Sequence, residues 1–211
     1  MARIVNLDDF RISARRRLPR IAYDFIESGT DDEIGLATNT QAFRDSRIVP
    51  RYLVGSIDRD LSAIVFGRTY SSPVGIAPTG MAALFRRGAD MLLASAAREA
   101  NVPFILSGTG TASIEDLART APEHGWYQFF STRDQSIAED KIRRAADAGL
   151  KTIVLTVDVP EASKRERNIR NGWGRPLKLT WSTRLEALKH PAWLLEWIRH
   201  GTPLFSNWAR C

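Results

Sequence analysis

The chain has 211 residues, 44% of them hydrophobic and 26% charged, and a formal net charge of +6. These proportions exclude a disordered tail, a collagen-like rod and a disulfide scaffold. The length suits one compact domain and falls short of the ~250 residues usual for a closed eight-stranded α/β barrel. The one cysteine, Cys211, is the last residue, so no intrachain disulfide or cysteine-built metal cluster can form, and a reducing compartment is expected. The opening MARIVNLDDFRISARRR has no apolar core of signal-peptide length, and no apolar run reaches ~18 residues, which leads to the expectation of a cytoplasmic chain that does not span a membrane. Residues 1–160 hold 20 Lys and Arg against 20 Asp and Glu, whereas 161–211 hold 10 against 4 together with five of the six tryptophans. That asymmetry speaks for a neutral body with a basic, Trp-rich segment, and against a uniformly basic nucleic-acid binder.

In chain order, Leu7, Phe10 and Ala14 are spaced as one face of a helix, and Ile21, Phe25 and Ile26 predict a second helix started by Pro19. Residues 29–60 read as an irregular wrap, with the residue before Pro50 pushed out of helical geometry. LSAIVFG is a short strand or hairpin arm, and PVGIAPTG (73–80) a buried strand ending in a turn. From there helices and strands alternate: helix 87–100 with Leu92, Ala96 and Ala100 on one face, strand 102–108, helix 113–121, strand 126–130, helix 135–149 and strand KTIVLTVD (151–158). Continuous apolar strands predict a parallel sheet covered on both faces. Beyond Asp158 the chain turns polar and basic, then aromatic, with helix predicted around 183–200 and interrupted at Pro191.

Periodicity alone allows either a doubly wound sheet or the first half of a (β/α)8 barrel. Each strand ends in polar or small residues, namely Pro78, Thr79 and Gly80, then Ser107 with Gly108 and Thr109, then Gln128, then Thr156 with Asp158. Parallel α/β folds bind ligands beyond those carboxyl ends. No G-x-G-x-x-G follows the first strand; Gly108-Thr109-Gly110 is a fragment of that pattern and reads as an ordinary turn. Metalloprotease, P-loop and nucleophile-elbow motifs are absent. His124, His190 and His200 all lie away from strand carboxyl ends and read as surface or packing residues. What remains is a ring of neutral hydrogen-bonding groups, suited to a large, polar-edged cofactor that supplies its own redox chemistry.

The runs IAYDFIESGTDDE, PVGIAPTGMAALFRRGAD, LSGTGTASIEDLA, YQFF and TVDVPEASKRERNIRNGW, in this order and spacing from about residue 7 to 205, resemble the FMN-dependent α-hydroxy-acid dehydrogenase and oxidase family. The APTG turn and the KHPAW…IRHGTP passage are most similar to its bacterial mandelate and L-lactate dehydrogenases. The resemblance implies the first four βα units of a TIM (β/α)8 barrel with an N-terminal helical extension. It divides the chain into N-terminal helices and wrap (1–60), half of an FMN-binding barrel (61–160) and a basic Trp-rich segment (161–211). It further implies FMN as cofactor and a small L-2-hydroxy acid as substrate. Tyr23 and Arg165 match substrate-binding positions, Pro78, Thr79 and Gly80 a turn whose backbone faces the flavin, and Ser107, Gln128 and Thr156 side chains on the isoalloxazine edge. Residues 173–208 admit two readings: tryptophans packed on the barrel with the cations as a solvated face, or a segment lying against an anionic membrane surface, which would make the protein peripheral on the inner face of the cell membrane.

Two departures from the family pattern stand out. Phe130 replaces a tyrosine whose hydroxyl contacts the substrate oxygen, a loss of ~1–3 kcal/mol if nothing substitutes. The family's lysine, histidine base, second substrate arginine and phosphate-binding loops belong to strands five to eight, so no catalytic residue is assignable here and the activity is expected to be incomplete in this chain. The alternative is a non-catalytic fragment or interaction module with a membrane-surface segment. Self-pairing of two half-barrels into a homo-oligomer is a further expectation, since a half-barrel leaves a strand edge open.

Overall fold

The structure, a computed structural model, describes residues 3–53, 55, 58–157, 163–174, 177 and 179–208. Asp158 and Cys211, singled out above, lie outside them. The chain divides into two compact units, Met1–Ile57 with Glu161–Thr202, and Asp58–Pro160 with Pro203–Cys211. The three consecutive segments expected from the sequence are thus arranged differently: both helical segments belong to one unit, and the last residues belong with the sheet.

In the sheet unit, β1 (Ala63–Val65) and β2 (Arg68–Tyr70) form an antiparallel hairpin. Phe66 and Gly67 both have positive φ, 49° and 78°, the backbone twist that a two-residue hairpin loop needs. Residues 73–80 differ from the predicted buried strand. Their ladder is one parallel bridge, Ile76 to Phe104, and Val74 is 64% exposed. Pro73 and Pro78 carry no N–H to donate, which confines such a segment to a sheet edge.

Helix α4 (Ala89–Glu99) leads to β3 (Phe104–Leu106), α5 (Ile114–Thr120) to β4 (Gly125–Phe130), and α6 (Gln135–Asp147) to β5 (Ile153–Thr156). The three strands pair in parallel, in sequence order. Local chemistry sets the helix ends. Ser113 and Asp116 form a capping box on α5, and Asp134 caps α6. After α4, Asn101 turns left-handed, and Asn101 and Val102 donate to the carbonyls of Arg98 and Ala97; Gly149 and Leu150 close α6 in the same way.

The core corrects two expectations. On α4 the buried residues are Asp90, Ala94 and Ala97, while Leu92 is half exposed; the two alanines are small enough to bring the helix close to the sheet. The sheet is not covered on both faces either. Alanines and aliphatics of α4, α5 and α6 form a single cluster with Phe104, Leu106, Tyr127 and Phe129, so burial alternates along β4, and Trp126, Gln128 and Phe130 face away from the helices. Helices on one face of a sequentially ordered parallel sheet are barrel architecture; a doubly wound sheet places them on both faces.

In the helical unit, α1 (Leu7–Arg17) begins with an Asn6/Asp9 capping box and ends in Arg15, Arg16 and Arg17, charges that complement its dipole. It buries none of its residues. Helix α2 (Arg20–Glu27) follows Pro19 and buries Ile21 and Ala22. Helix α3 (Ile34–Asp45) occupies part of the expected wrap; with no residue buried, it has no apolar stripe for periodicity to reveal. Helices α7 (Glu166–Arg170), α8 (Trp181–Ala187) and α9 (Pro191–His200) complete the unit, with Pro191 opening α9. Among the described residues no helix is long and apolar enough to cross a membrane.

Candidate functional site

The carboxyl ends of β3, β4 and β5 bring Ser107, Gln128 and Thr156 into one row. The parallel register sets Phe130 beside Thr156 and Gln128 beside Val154, so alternate residues of β4 and β5 share the helix-free face. Ser107 Oγ and the Gly108 N–H approach Gln128 Oε1 as donors, at 3.2 and 3.4 Å, and Gln128 Nε2 donates to Thr156 Oγ1 at 3.0 Å. The row is therefore oriented: the amide accepts on the β3 side and donates on the β5 side, and among the described residues its second N–H and the Thr156 hydroxyl proton have no partner. None of these groups ionises near neutral pH.

A second layer comes from two turns. Thr109 donates its N–H to Ser107 Oγ at 3.2 Å, and its hydroxyl lies 3.2 Å from the same oxygen. The Met81 N–H donates to the Thr109 carbonyl at 3.0 Å, tying the Pro78–Gly80 turn to the turn after β3. A Cβ on Gly80 would lie 2.6 Å from Thr109 Oγ1, and one on Gly108 would lie 2.7 Å from the Phe130 ring and 2.8 Å from the Gln128 carbonyl. At Gly108, where the neighbour is backbone, glycine is thus a requirement of close approach; at Gly80 a Cβ would oblige the Thr109 hydroxyl to move. Pro78, Thr79 and Gly80 are half-buried.

The two substrate-side residues expected from the sequence lie in the helical unit. Tyr23 lines a cleft of about 620 Å³ with Arg11, Arg15, Arg20, Arg167 and Arg170, and a hydrogen bond with the Tyr23 hydroxyl, together with Glu27, raises the pKa of the Arg11 guanidinium. Arg165 is not among the residues lining that cleft. It precedes α7, and its Nη1 donates to the Phe25 carbonyl at 3.2 Å. His124 sits just before β4, at the opposite strand ends from Gln128, against Arg68 Nη2 at 2.9 Å; burial, and then Arg68, lowers its pKa. His190 and His200 lie against Glu186 and Glu196.

The C-terminal tryptophans do not form one exposed face. Trp173 stacks on Phe25 at 4.3 Å and Trp193 on Trp197 at 5.1 Å, while Trp208 belongs to the sheet unit, under the Lys141 ammonium at 3.0 Å. Of the five, Trp181 is the exposed one, at 79%. Indole rings pack wherever apolar neighbours are within reach, and the sequence gives no sign of which ones have them.

Sequence reasoning missed Asp90, Ser206 and Asn207. Thr109 stands out in the sequence as a strand-end residue but its bond to Ser107 does not, and nothing near Asn207 in the sequence signals its contacts.

Residues 14–208 match the FMN-dependent dehydrogenase family. The (S)-mandelate dehydrogenase of Pseudomonas putida is 38% identical over 205 residues, which cover 97% of this chain and 52% of that protein. Glycolate oxidase 1 of Zea mays is 35% identical over 180 residues, 85% of this chain and 49% of the oxidase. A solved structure described as monotopic membrane protein (S)-mandelate dehydrogenase superposes with a TM-score of 0.91 at 36% identity, over 97% of this chain and 54% of its own. The chain thus spans about half the length of these relatives. With its one-sided parallel sheet and its polar row at the strand ends, the chain belongs to the FMN-dependent dehydrogenase family.

Proposed function

We propose that this chain takes part in the FMN-dependent oxidation of a small L-2-hydroxy acid to the 2-oxo acid, and that the row Ser107–Gln128–Thr156 receives the edge of the flavin ring. The observation that carries this reading is the row itself, a neutral amide between two hydroxyls at adjacent parallel strand ends. The pyrimidine edge of an isoalloxazine alternates carbonyl oxygens with an N–H, so a row that both accepts and donates fits it, where a charged cluster would not. Ser107, Gln128 and Thr156 would hold that edge, and the Pro78–Gly80 turn would lie along the ring. FMN supplies the chemistry, accepting two electrons from the substrate.

The remaining roles fall to this chain's own side chains. Arg165 has one N–H on the Phe25 carbonyl and others left to engage a carboxylate by charge-assisted bonds. The Tyr23 hydroxyl, in its own Arg-lined cleft beside Arg11, is a separate candidate donor to a carboxylate. Phe130 lies over Gly108 and excludes water from that end of the row without offering a hydroxyl to the substrate oxygen.

The test is an NMR titration of the isotope-labelled chain with FMN. Shifts centred on the Ser107, Gln128 and Thr156 groups are expected and should be lost in Gln128→Leu, which keeps the side-chain volume and removes both ends of the amide. Equal FMN-induced shifts in Gln128→Leu would refute this placement.

A membrane-surface role for α8 and α9 has its own support. Trp181, Leu185, Leu188, Leu195 and Ile198 are all more than half exposed, close in sequence to Arg184, Lys189 and Arg199. Apolar side chains interleaved with cations favour the boundary of an anionic bilayer, and a relative's structure is described as a monotopic membrane protein. On this reading the protein would be peripheral on the inner face of the cell membrane. Self-association through the open β5 edge is a third element of the proposal, decided by sedimentation equilibrium.

A further inference from the structure

The turn that carries Ser107 and Thr109 is held from two distant parts of the sequence by side chains that touch nothing in the polar row. From the first turn of α4, Asp90 Oδ2 accepts the Thr111 N–H at 2.9 Å, the Thr111 hydroxyl at 2.6 Å and the Ala112 N–H at 3.1 Å. The Thr111 hydroxyl oxygen in turn accepts the Ala83 N–H at 3.2 Å. From the end of the chain, Ser206 Oγ donates to the Thr111 carbonyl at 2.6 Å, Asn207 Nδ2 to the Ala112 carbonyl at 3.1 Å, and Trp208 Nε1 to the Gly108 carbonyl at 2.8 Å. Asn207 Oδ1 accepts the Ile114 N–H at 3.0 Å and Arg144 Nη2 at 3.1 Å.

Asp90 is 3% exposed and Asn207 0%. Burying a carboxylate and a primary amide is costly unless their hydrogen bonds are made. Here the three bonds to Asp90 Oδ2 all come from the loop, and Asn207 bonds the loop from the other side. The same segment could have been closed by turn residues of its own, as most surface loops are. It keeps two such local bonds, from the Gly110 N–H to the Ser107 carbonyl at 2.8 Å and from the Thr109 N–H to Ser107 Oγ at 3.2 Å, and is held besides by partners 21 to 100 residues away.

We propose that Asp90, Ser206, Asn207 and Trp208 are positioning residues. They lock the Gly108–Ala112 turn so that Ser107 Oγ stays aimed at Gln128 Oε1 and the polar row is preformed before any ligand arrives. The functional part of this inference rests on the flavin reading of the row. Preorganised supports of this kind lower the ordering cost of binding.

Trp208→Phe is the informative variant, because it keeps an aromatic ring at the position beside the Lys141 ammonium and removes the N–H on the Gly108 carbonyl together with part of the indole. Ser206→Ala is the second, since it removes one hydroxyl from a half-buried position. Amide hydrogen exchange on the intact chain should accelerate about fivefold or more at Thr109–Ala112 in either variant, while the β4 amides of Tyr127 and Phe129 stay as they are. Titration with FMN should show binding weakened by a similar factor. Unchanged exchange at Thr109–Ala112, or acceleration spread equally over β4, overturns the proposal. So does faster local exchange with undiminished FMN binding. If the unaltered chain shows no FMN-induced shifts while the exchange pattern is as expected, the flavin reading fails and the loop lock stands.

Discussion

Protonating Glu115 should weaken the sheet unit in acid by an amount that the geometry sets. Glu115, in the first turn of α5, receives Arg144 Nε on Oε1 at 2.7 Å and Arg144 Nη2 on Oε2 at 2.9 Å, a two-pronged bond from α6. The Arg144 hydrogen bond is the main cause that lowers the Glu115 carboxyl to about 2 from an ordinary 4.5. At ~1.4 kcal/mol per pH unit, that difference corresponds to about 3 kcal/mol. The Glu115 side chain is 33% exposed, against 11% for Arg144, so solvent screening reduces the figure to roughly 1–2 kcal/mol. A carboxyl with its folded pKa depressed contributes its full stability above pH 4.5 and loses it as pH falls towards 2. Urea unfolding at pH 7, 4 and 3 should therefore show the unaltered chain losing ~1–2 kcal/mol more than Glu115→Gln over that range. Parallel pH dependences in the two proteins would refute the reasoning, because the pair would then contribute nothing that protonation can remove.

Gly108→Ala should cost ~1–3 kcal/mol in thermal unfolding, since the added methyl meets the Phe130 ring at 2.7 Å and the Gln128 carbonyl at 2.8 Å. Phe130→Leu in the same chain should restore only part of it, because the carbonyl cannot move aside as a ring can. Sedimentation with vesicles should recover the chain on anionic but not neutral lipid, with binding reduced by salt and by Trp181→Ser with Leu185→Ser. Equal recovery in the supernatant on both lipids would leave those side chains as ordinary surface.

The sequence made the sheet legible where a strand is apolar and has no proline within its ladder. VPFILSG and KTIVLTVD each contain an observed strand, WYQFF is all but the first residue of a third, and the helices between them carry their own caps, Ser113 and Asp134. An apolar run does not reveal which of its faces is covered, because the same residues serve a two-sided sheet and a one-sided one. The difference lies in where α4, α5 and α6 pack, which is a tertiary fact. PVGIAPTG failed for the opposite reason: its composition is that of a strand, but its two prolines withhold donors from the ladder. Helix α3 escaped notice because its apolar residues mark no single face: Ile34 and Leu36, two apart, lie on opposite sides of it.

The site divides along the same line. Ser107, Gln128 and Thr156 could be picked out singly, because each ends a strand and a parallel sheet gathers its strand ends. That they bond to one another in an oriented row depends on register, which pairs Gln128 with Val154 and Phe130 with Thr156. A shift of one residue in β5 would turn Thr156 to the helix face and break the row. The register is in turn held by packing on the far side of the sheet, where Tyr127 and Phe129 sit among Leu117, Ala145 and Leu150. Arg144 leaves that same layer with one nitrogen on Glu115 and another on both Glu115 and Asn207. The residues that present the row are therefore short and polar, while those that fix it are buried behind the sheet or lie up to 100 residues away. The first kind is visible in a sequence because strand ends are marked by a change in composition; the second is not, because its partners share no neighbourhood until the chain has folded.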